Sequence, residues 1–493
     1  MFTVLDLNSW SSNKMQRVFF SNLILMVLLN LLVKPIALFG IDATVQNRVG
    51  PESYGLYFSL LNLSVIFNTL LDLGINNFTT KNLAQDPEKI KKYFSKVFSF
   101  RLVLFTVYSG FTFGLALFLG YSGRPLYLLS FLILNQFLVL SIAYLRSHFA
   151  GFHFFKTDAF ISILDRFLLI IVGGIWLFSS FAPSQIKIEE FIWIQTFCYG
   201  TSLIVGLALL LKHIERPYLK WDFSFGMALV KKSWPYALLI VLMLLYTRID
   251  GVMLERIHPN GAYEAGVYAQ GFRLLDALFM FGMIFAGLLF PIFSRQLKTS
   301  LSVVLDLVKA SANLLLGGTV IIIFVTVFNA ELILGWIYVD ITDAIGPFQF
   351  LMLGFFPIGM NFIFGTLLTA NGNLKILNSI SAIGIIANIT INLILIPSYG
   401  ALGAAIATFG TQGVTAIAQF LYCVYKFNIP KKATGILKLA GLAAGLFTLS
   451  IWFENSSYLM LVQIMVGSIL IFGLSLIDVH ALKKLILSSG KIK

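Results

Sequence analysis

Fourteen apolar stretches, most of them about twenty residues long, fill almost the whole chain of 493 residues. An apolar helix of roughly 20 residues matches the hydrocarbon thickness of a bilayer and satisfies its own backbone hydrogen bonds, so each stretch can cross a membrane. Hydrophobic residues make up 58% of the chain and charged residues 12%, a balance that no soluble domain of this length could cover with polar surface. The sequence therefore predicts an all-α polytopic membrane protein with about 14 transmembrane helices.

The predicted spans are separated by short polar gaps. They lie at 18–39, 54–75, 98–119, 126–147, 159–181, 191–211, 235–254, 266–292, 310–330, 346–370, 376–397, 402–425, 436–453 and 458–480. The gap around Arg48 is predicted to be one of the longest outside loops, at roughly fifteen residues. No external gap is long enough for a folded extracytoplasmic domain.

The basic residues lie mainly on one side of the predicted membrane. The N-terminus, the even-numbered gaps with the span ends beside them, and the C-terminal tail carry 27 Lys and Arg residues, whereas the odd-numbered gaps carry four. Because basic residues in short loops stay on the cytoplasmic side, this predicts that both termini lie in the cytoplasm. The net charge of +13 therefore reflects topology and does not indicate nucleic acid as a partner.

The longest cytoplasmic gap, 212–234, lies near the midpoint of the first twelve spans, and its aromatic and basic residues predict an interfacial helix. A faint repeat supports a division there, because Tyr57 and Tyr268 occupy matching positions at the starts of spans 2 and 8. Repeated halves are a common way to build transporters. The predicted domains are a six-helix bundle (1–220), a second six-helix bundle (221–430), and a terminal helix pair with a cytoplasmic tail (431–493).

Ionisable residues inside membrane spans are expensive, so each one is a functional hypothesis by default. Eight residues within the predicted spans are singled out on this ground: Lys34, Asp72, Asp165, Arg166, Arg248, Asp250, Arg273 and Asp276. Lys34 and Asp72 are near span ends, where interface water also accommodates a charge. Asp165 and Arg166 lie about two turns in from the cytoplasm and point to different parts of the helix surface.

Spans 7 and 8 carry the sharper pattern. Arg248 and Arg273 are each predicted roughly 10 Å deep, and Asp276 lies on the same helical face as Arg273 and close to the midplane. Asp250 points to another side of its helix from Arg248. Two interpretations stay open: the four charges pair with one another between helices, or they line a wet cavity whose arginines bind an anionic head group.

Uncharged polar residues and prolines complete the set of candidates. Asn388 and Asn392, four residues apart in span 11, form one polar stripe that bonds either a neighbouring helix or a substrate. Prolines in or at the ends of several spans permit kinks. Cys198 and Cys423 lie in apolar stretches without the spacing of a metal or redox site, and no cofactor is predicted.

Three segments resemble the polysaccharide flippases of the multidrug/oligosaccharidyl-lipid/polysaccharide (MOP) exporter superfamily, the O-antigen flippases among them. RVGPESYGLYFSLLNLSVIFNTLLDLGI (48–75) looks like the first outside turn and second helix of that family. The stretch 248–294 resembles its seventh and eighth helices, with an Asp in helix 7 and a Gly-x-Tyr start. The stretch 371–409 is similar to its eleventh and twelfth helices.

The resemblance implies a MATE-like architecture in a bacterial cytoplasmic (inner) membrane, with alternating access around a cationic cavity. It implies that an isoprenoid-diphosphate-linked oligosaccharide moves from the cytoplasmic to the outer leaflet, with membrane lipid and polysaccharide assembly proteins as further partners. The residues expected at the head group are Arg248, Arg273, Arg166 and Lys34. Candidates for ion coupling or charge pairing are Asp276, Asp250 and Asp72, and no enzymatic activity is expected.

Other functions stay open at this point. A peptidoglycan-precursor flippase or a cation-coupled drug or metabolite exporter of the same superfamily shares these features, although the exporters usually resemble twelve helices. An integral membrane polymerase or glycosyltransferase needs an acid/base or metal constellation at one face. The extracytoplasmic acids and the histidines of this chain are too scattered to indicate one.

Overall fold

The computed structural model describes residues 28–76, 79–80, 89–179, 185–214, 221–429, 434–453, 456 and 458–476, and every regular element in these ranges is helical. Eleven helical stretches there are long and apolar enough to cross a membrane. Two of them, Leu28–Ile66 and Leu374–Phe427, bend at a glycine, so each contributes two spans. The all-helical polytopic fold is confirmed.

Fourteen helices follow one another in the order of the predicted spans. They are α1 (28–49), α2 (51–66), α3 Lys89–Phe118, α4 Arg124–Gly151, α5 Phe155–Phe178, α6 Ile188–Leu210, α7 Phe223–Ile257, α8 Gly261–Gln296, α9 Leu301–Phe328, α10 Thr342–Ala370, α11 (374–399), α12 (401–427), α13 Thr434–Trp452 and α14 Leu459–Gly473.

Glycines make the two bends possible. Gly50 has φ 79° and is followed by Pro51, which suits the first turn of α2. Gly400 has φ 49°, and a side chain there would collide with the carboxylate of Glu264. That carboxylate accepts a hydrogen bond of 2.7 Å from the Ala401 N–H, so it caps the start of α12.

Contacts divide the chain into two compact units, unit 1 up to Arg256 and unit 2 from Ile257. In unit 1, α1 packs on α5, and α4 packs on α2 and α6. In unit 2, α10 packs on α8, α11 and α12, while α13 and α14 pack on α9. The predicted domain boundaries near residues 220 and 430 follow from the sequence repeat, and they stay a prediction.

Each unit has an apolar interior and an apolar exterior. One cluster of unit 1 joins Leu73 and Phe94 to Phe149 and Leu229, and one of unit 2 joins Val320 to Leu446 and Ile471. Large apolar side chains on the outside, such as Phe118 and Trp452, are more than four-fifths exposed. In a soluble protein such surface promotes aggregation, whereas in a bilayer it contacts lipid.

Several predicted boundaries are wrong. The predicted loop around Arg48 is helical up to the bend at Gly50. The α-helix of span 2 ends at Ile66 and is followed by a 3₁₀ turn, Asn68–Leu71, so Asp72 lies beyond it. The predicted interfacial segment is continuous with α7, which runs through Pro235. Around Arg48 the reason is that polar residues continue a helix when neighbouring helices bury or bond them, as for the buried Gln46.

Candidate functional site

A cationic cluster in unit 1 centres on Arg166 of α5. Its side chain is 35% exposed, and its Nε lies 3.5 Å from Asp165 Oδ2. Its guanidinium stands over the ring of Tyr199 on α6, with 5.6 Å from Cζ to the centroid. A guanidinium has five N–H donors in a planar fork, so these two contacts leave donors for an anionic ligand.

Lys34 of α1 belongs to the same cluster. It is half-buried and lies within electrostatic range of Arg166 and Asp165. Two contacts fix α1 on α5: Asn30 Nδ2 donates to Ser162 Oγ at 3.1 Å, and Ile41 packs where Gly173 has no side chain. The structure thus brings together two of the four predicted head-group residues within one unit.

A group of buried, hydrogen-bonded polar side chains lies beside these cations. The segment Ile36–Asp42 of α1 is a π-helix, a deviation often found at functional sites. Asp42 accepts a hydrogen bond of 2.8 Å from the Tyr54 hydroxyl. The Gln195 amide donates to the hydroxyl of Tyr57 at 3.0 Å. Asp42 and Tyr57 both lie within electrostatic range of the Arg166 guanidinium. Sequence reasoning missed Asp42, because it follows the predicted end of span 1.

The four charges of spans 7 and 8 fall in different units. Arg248 and Asp250 lie on α7 in unit 1, where Asp250 is buried and Arg248 is half-buried. Arg273 and Asp276 lie half-buried on α8 in unit 2. All four have interaction partners. Their shared depth and their role at a head group stay predictions.

Asn388 and Asn392 of α11 are fully buried. The Asn392 amide donates to Asn388 Oδ1 at 3.0 Å, so the two side chains bond along their own helix. Both also have partners beyond this bond. This placement fits helix packing in unit 2.

Arg101 is a second buried cation that the sequence did not single out. It was counted with the basic residues of the cytoplasmic gap, but it lies inside α3 and is 3% exposed. Its Nη1 is 3.9 Å from Asp72 Oδ1, and its Cζ is 4.9 Å from the ring centroid of Tyr144 on α4. The only signal in the sequence was its place four residues into an apolar stretch, next to a run of lysines.

A third polar group in unit 1 links α7 to the start of α4. The Tyr121 hydroxyl donates to Glu255 Oε2 at 2.7 Å, and Arg256 binds both oxygens of that carboxylate at 2.7 and 3.1 Å. Burial and then the Glu255 charge raise the pKa of the Tyr121 hydroxyl far above its ordinary value, so it stays a donor. Every charge in this group has a hydrogen-bonded partner.

Comparison with known proteins places these features in a family. The family model described as polysaccharide biosynthesis protein matches residues 19–297, which is more than half of the chain. An uncharacterised membrane protein of Methanocaldococcus jannaschii is 26% identical over 267 residues. That match covers 48% of this chain and 59% of the archaeal protein, so the chain spans less than two thirds of that relative.

The fold is similar to that of solved transporters. The lipid II flippase MurJ in an inward closed conformation superposes with a TM-score of 0.69 at 16% identity, covering 92% of this chain and 98% of MurJ. An inward-facing multidrug resistance MATE family transporter of the MOP superfamily superposes with a TM-score of 0.56 at 14% identity. The superposition covers 82% of this chain and 98% of the transporter. At these identities the likeness concerns the fold alone.

Proposed function

Because the chain belongs to the polysaccharide biosynthesis protein family and has the fold of the MOP superfamily, we propose that it flips an isoprenoid-diphosphate-linked oligosaccharide across the cell membrane. The family match over residues 19–297 carries this proposal. In this proposal the head group moves from the cytoplasmic to the outer leaflet, and both termini of the protein lie in the cytoplasm. The lipid tail stays in hydrocarbon throughout.

The cationic cluster of unit 1 supplies the chemistry that such a substrate needs. A diphosphate and its sugars cannot cross hydrocarbon unaided, because burying unpaired charge and hydroxyls costs several kcal/mol or more. Arg166 offers a planar donor fork that matches phosphate oxygens, and Lys34 adds a second positive charge. The ring of Tyr199 holds the guanidinium from one side. We assign Arg166 and Lys34 to the diphosphate.

Arg248 and Arg273 remain in the proposal as predicted head-group ligands. Asp250, Asp276 and Asp72 remain as carboxylates for charge pairing or ion coupling. Asp165 lies 3.5 Å from Arg166 and reduces the net charge of the cluster. We therefore expect binding to depend on directed hydrogen bonds to phosphate more than on overall positive charge.

The experiment reconstitutes the purified protein in liposomes and follows a fluorescent polyprenyl-diphosphate oligosaccharide between leaflets. Arg166→Ala and Lys34→Ala test the cluster, and Arg248→Ala and Arg273→Ala test the predicted ligands. Arg124→Ala is the matched control, because Arg124 is an exposed arginine paired with Glu189. We expect strong losses at Arg166 and Lys34 and normal transport in the control.

Other outcomes are informative. Transport by the wild type with undiminished Arg166 and Lys34 variants would keep the flippase and reject the proposed diphosphate site. Movement of a lipid-linked peptidoglycan precursor in place of the oligosaccharide would favour that alternative substrate. Turnover of an added sugar donor without movement between leaflets would favour the membrane enzyme.

A further inference from the structure

The charge pair Asp72–Arg101 is buried but incompletely bonded. Arg101 is 3% exposed, and neither Nη1 nor Nη2 has a hydrogen-bond partner in the described part of the chain. The nearest carboxylate oxygen, Asp72 Oδ1, is 3.9 Å from Nη1, which is an ion-pair distance and too long for a hydrogen bond. A buried guanidinium with unfilled donors is expensive, so this arrangement calls for a functional explanation.

The two partners differ in their access to the surroundings. The side chain of Asp72 is 24% exposed, whereas that of Arg101 is 4% exposed. Asp72 follows the 3₁₀ turn Asn68–Leu71 and precedes two residues with positive φ, Leu73 and Gly74. Its Oδ1 also accepts a hydrogen bond of 3.2 Å from the Asn76 N–H. The carboxylate is therefore the more accessible of the two groups.

Among the residues whose side chains the structure describes, few other ionisable groups face this pair. The segment that carries Asp72 packs on α2, α3 and α4. Arg101 is the charged group from α3. From α4 come the ring of Tyr144 and, beside that ring, His148, which is buried with its Nδ1 2.8 Å from the Tyr144 carbonyl. Lys96 and Arg146, the next cations along α3 and α4, each have a carboxylate partner, Asp222 and Asp158.

We propose that Asp72 is the proton-carrying group of this transporter and that Arg101 is its positioning residue. A guanidinium does not lose its proton in a protein, so any exchange at the pair takes place on the carboxylate. Asp72 takes a proton from hydronium, an O–H bond forms on the carboxylate, and water leaves; the reverse step returns the proton. The inference rests on the proposed function and adds its coupling ion.

The surroundings of Asp72 select a proton over a metal ion. A metal cation needs several oxygen ligands. The described groups in contact with this carboxylate are the Arg101 guanidinium and the Asn76 backbone N–H, which supply positive charge and a donor. A proton needs no ligand shell, whereas a metal ion at Asp72 would be repelled by the adjacent guanidinium.

Protonation also links the pair to the substrate. The neutral pair becomes a single buried positive charge when Asp72 binds a proton, and such a charge is unfavourable without a counter-charge. A diphosphate bound in the same unit supplies negative charge. Proton uptake and head-group binding therefore favour each other, and this linkage is reciprocal.

The test compares wild type with Asp72→Asn, Asp72→Glu, Arg101→Gln and Arg101→Lys in proteoliposomes. For the wild type we expect transport to respond to a pH gradient by up to about tenfold per pH unit, the equivalent of one coupled proton. Asp72→Asn should lose this response and Asp72→Glu should keep it. Arg101→Gln should move the pH midpoint of transport upward by about one unit or more, because an adjacent cation favours the ionised carboxylate. Arg101→Lys should move it less.

A second measurement does not depend on transport. Infrared difference spectra of the purified protein on acidification should show a protonated-carboxyl band in the wild type that is missing in Asp72→Asn. Persistence of the whole band in that variant, or a wild type that flips substrate without responding to a pH gradient, would overturn the proton site and leave the flippase intact. A wild type that shows the band but flips none of the substrates would overturn the proposed function instead.

Discussion

Units 1 and 2 bury different kinds of polar group. In unit 1 the described buried side chains include Asp42, Arg101 and Asp250, whereas those of unit 2 are amides and hydroxyls without a charge among them. Intramembrane charges are costly and usually mark substrate or ion pathways, while neutral hydrogen bonds join helices. The difference supports the proposal that recognition and coupling are concentrated in unit 1.

The contrast between the units is clear because both contain the same kind of buried tyrosine hydrogen bond between helices. Tyr57 at the start of α2 bonds Gln195 of α6, and Tyr268 at the start of α8 bonds Thr408 of α12. The second pair lies six helices after the first, which is the spacing of the faint sequence repeat. The fold has kept a tyrosine hydrogen bond at matching positions in both units, and the first tyrosine also has the Arg166 guanidinium within electrostatic range.

The largest effect is expected at Arg166. Arg166→Glu should lower transport about 100-fold or more, because two lost charge-assisted hydrogen bonds cost about 3 kcal/mol and the new charge repels phosphate. The liposome assay with a lipid-linked oligosaccharide measures this. Arg166→Lys keeps the charge and is the control, with a smaller loss. Activity of the Glu variant above a third of wild type would remove Arg166 from the substrate site.

A stability effect without a transport effect is expected in unit 2. Gln463 of α14 accepts from Asn329 at 2.8 Å and donates to Ser450 of α13 at 2.8 Å. Gln463→Leu removes both of these buried hydrogen bonds and should lower the free energy of unfolding by about 1–3 kcal/mol. Transport by the folded protein should stay within about twofold of wild type, because no charge is lost.

The two native cysteines make this measurement specific to each unit. Cys198 lies buried in unit 1 and Cys423 in unit 2, and both are free thiols. A thiol-reactive dye in a Cys198→Ala background reports the unfolding of unit 2, and one in a Cys423→Ala background reports unit 1. Transport losses as large as those at Arg166 would show that the neutral network of unit 2 takes part in transport.

A matched pair of tyrosine variants sharpens the comparison. Tyr57→Phe and Tyr268→Phe each remove one buried hydroxyl hydrogen bond, so each should cost about 1 kcal/mol of stability. Transport should fall only in Tyr57→Phe, because Tyr57 lies beside the cationic cluster. The dye assay and the liposome assay together measure both effects. Equal transport losses at the two positions would contradict the assignment of substrate chemistry to unit 1.

The smallest effect is expected at an exposed ion pair. Arg124 Nε lies 2.6 Å from Glu189 Oε1, but the arginine side chain is 52% exposed. Arg124→Ala should change the free energy of unfolding by less than about 1 kcal/mol and leave transport unchanged. Thermal unfolding at two salt concentrations checks this, since screening should reduce the difference further. A larger loss would mean that surface charge contributes to the fold.

The sequence predicted the helices well and the polar contacts poorly. Arg166 was identified because it interrupts an apolar stretch, but Tyr199, its aromatic partner, is on a helix that begins 22 residues later. Arg101 was missed because the lysines before it resemble a cytoplasmic loop. Only the packing of α4 against α3 shows that it is buried. Asp42 was missed because the length of α1 depends on a π-helix and on the bend at Gly50.

The sequence by itself determined that the chain is a helical membrane protein of the polysaccharide biosynthesis family. Helix formation and insertion are local properties: an apolar segment of sufficient length satisfies its own backbone hydrogen bonds wherever it lies in the fold. Tertiary structure alone decided which polar side chains meet, namely Arg166 with the ring of Tyr199 and Asp72 with Arg101. Such contacts join helices that are distant in the chain, and their geometry depends on how whole helices pack.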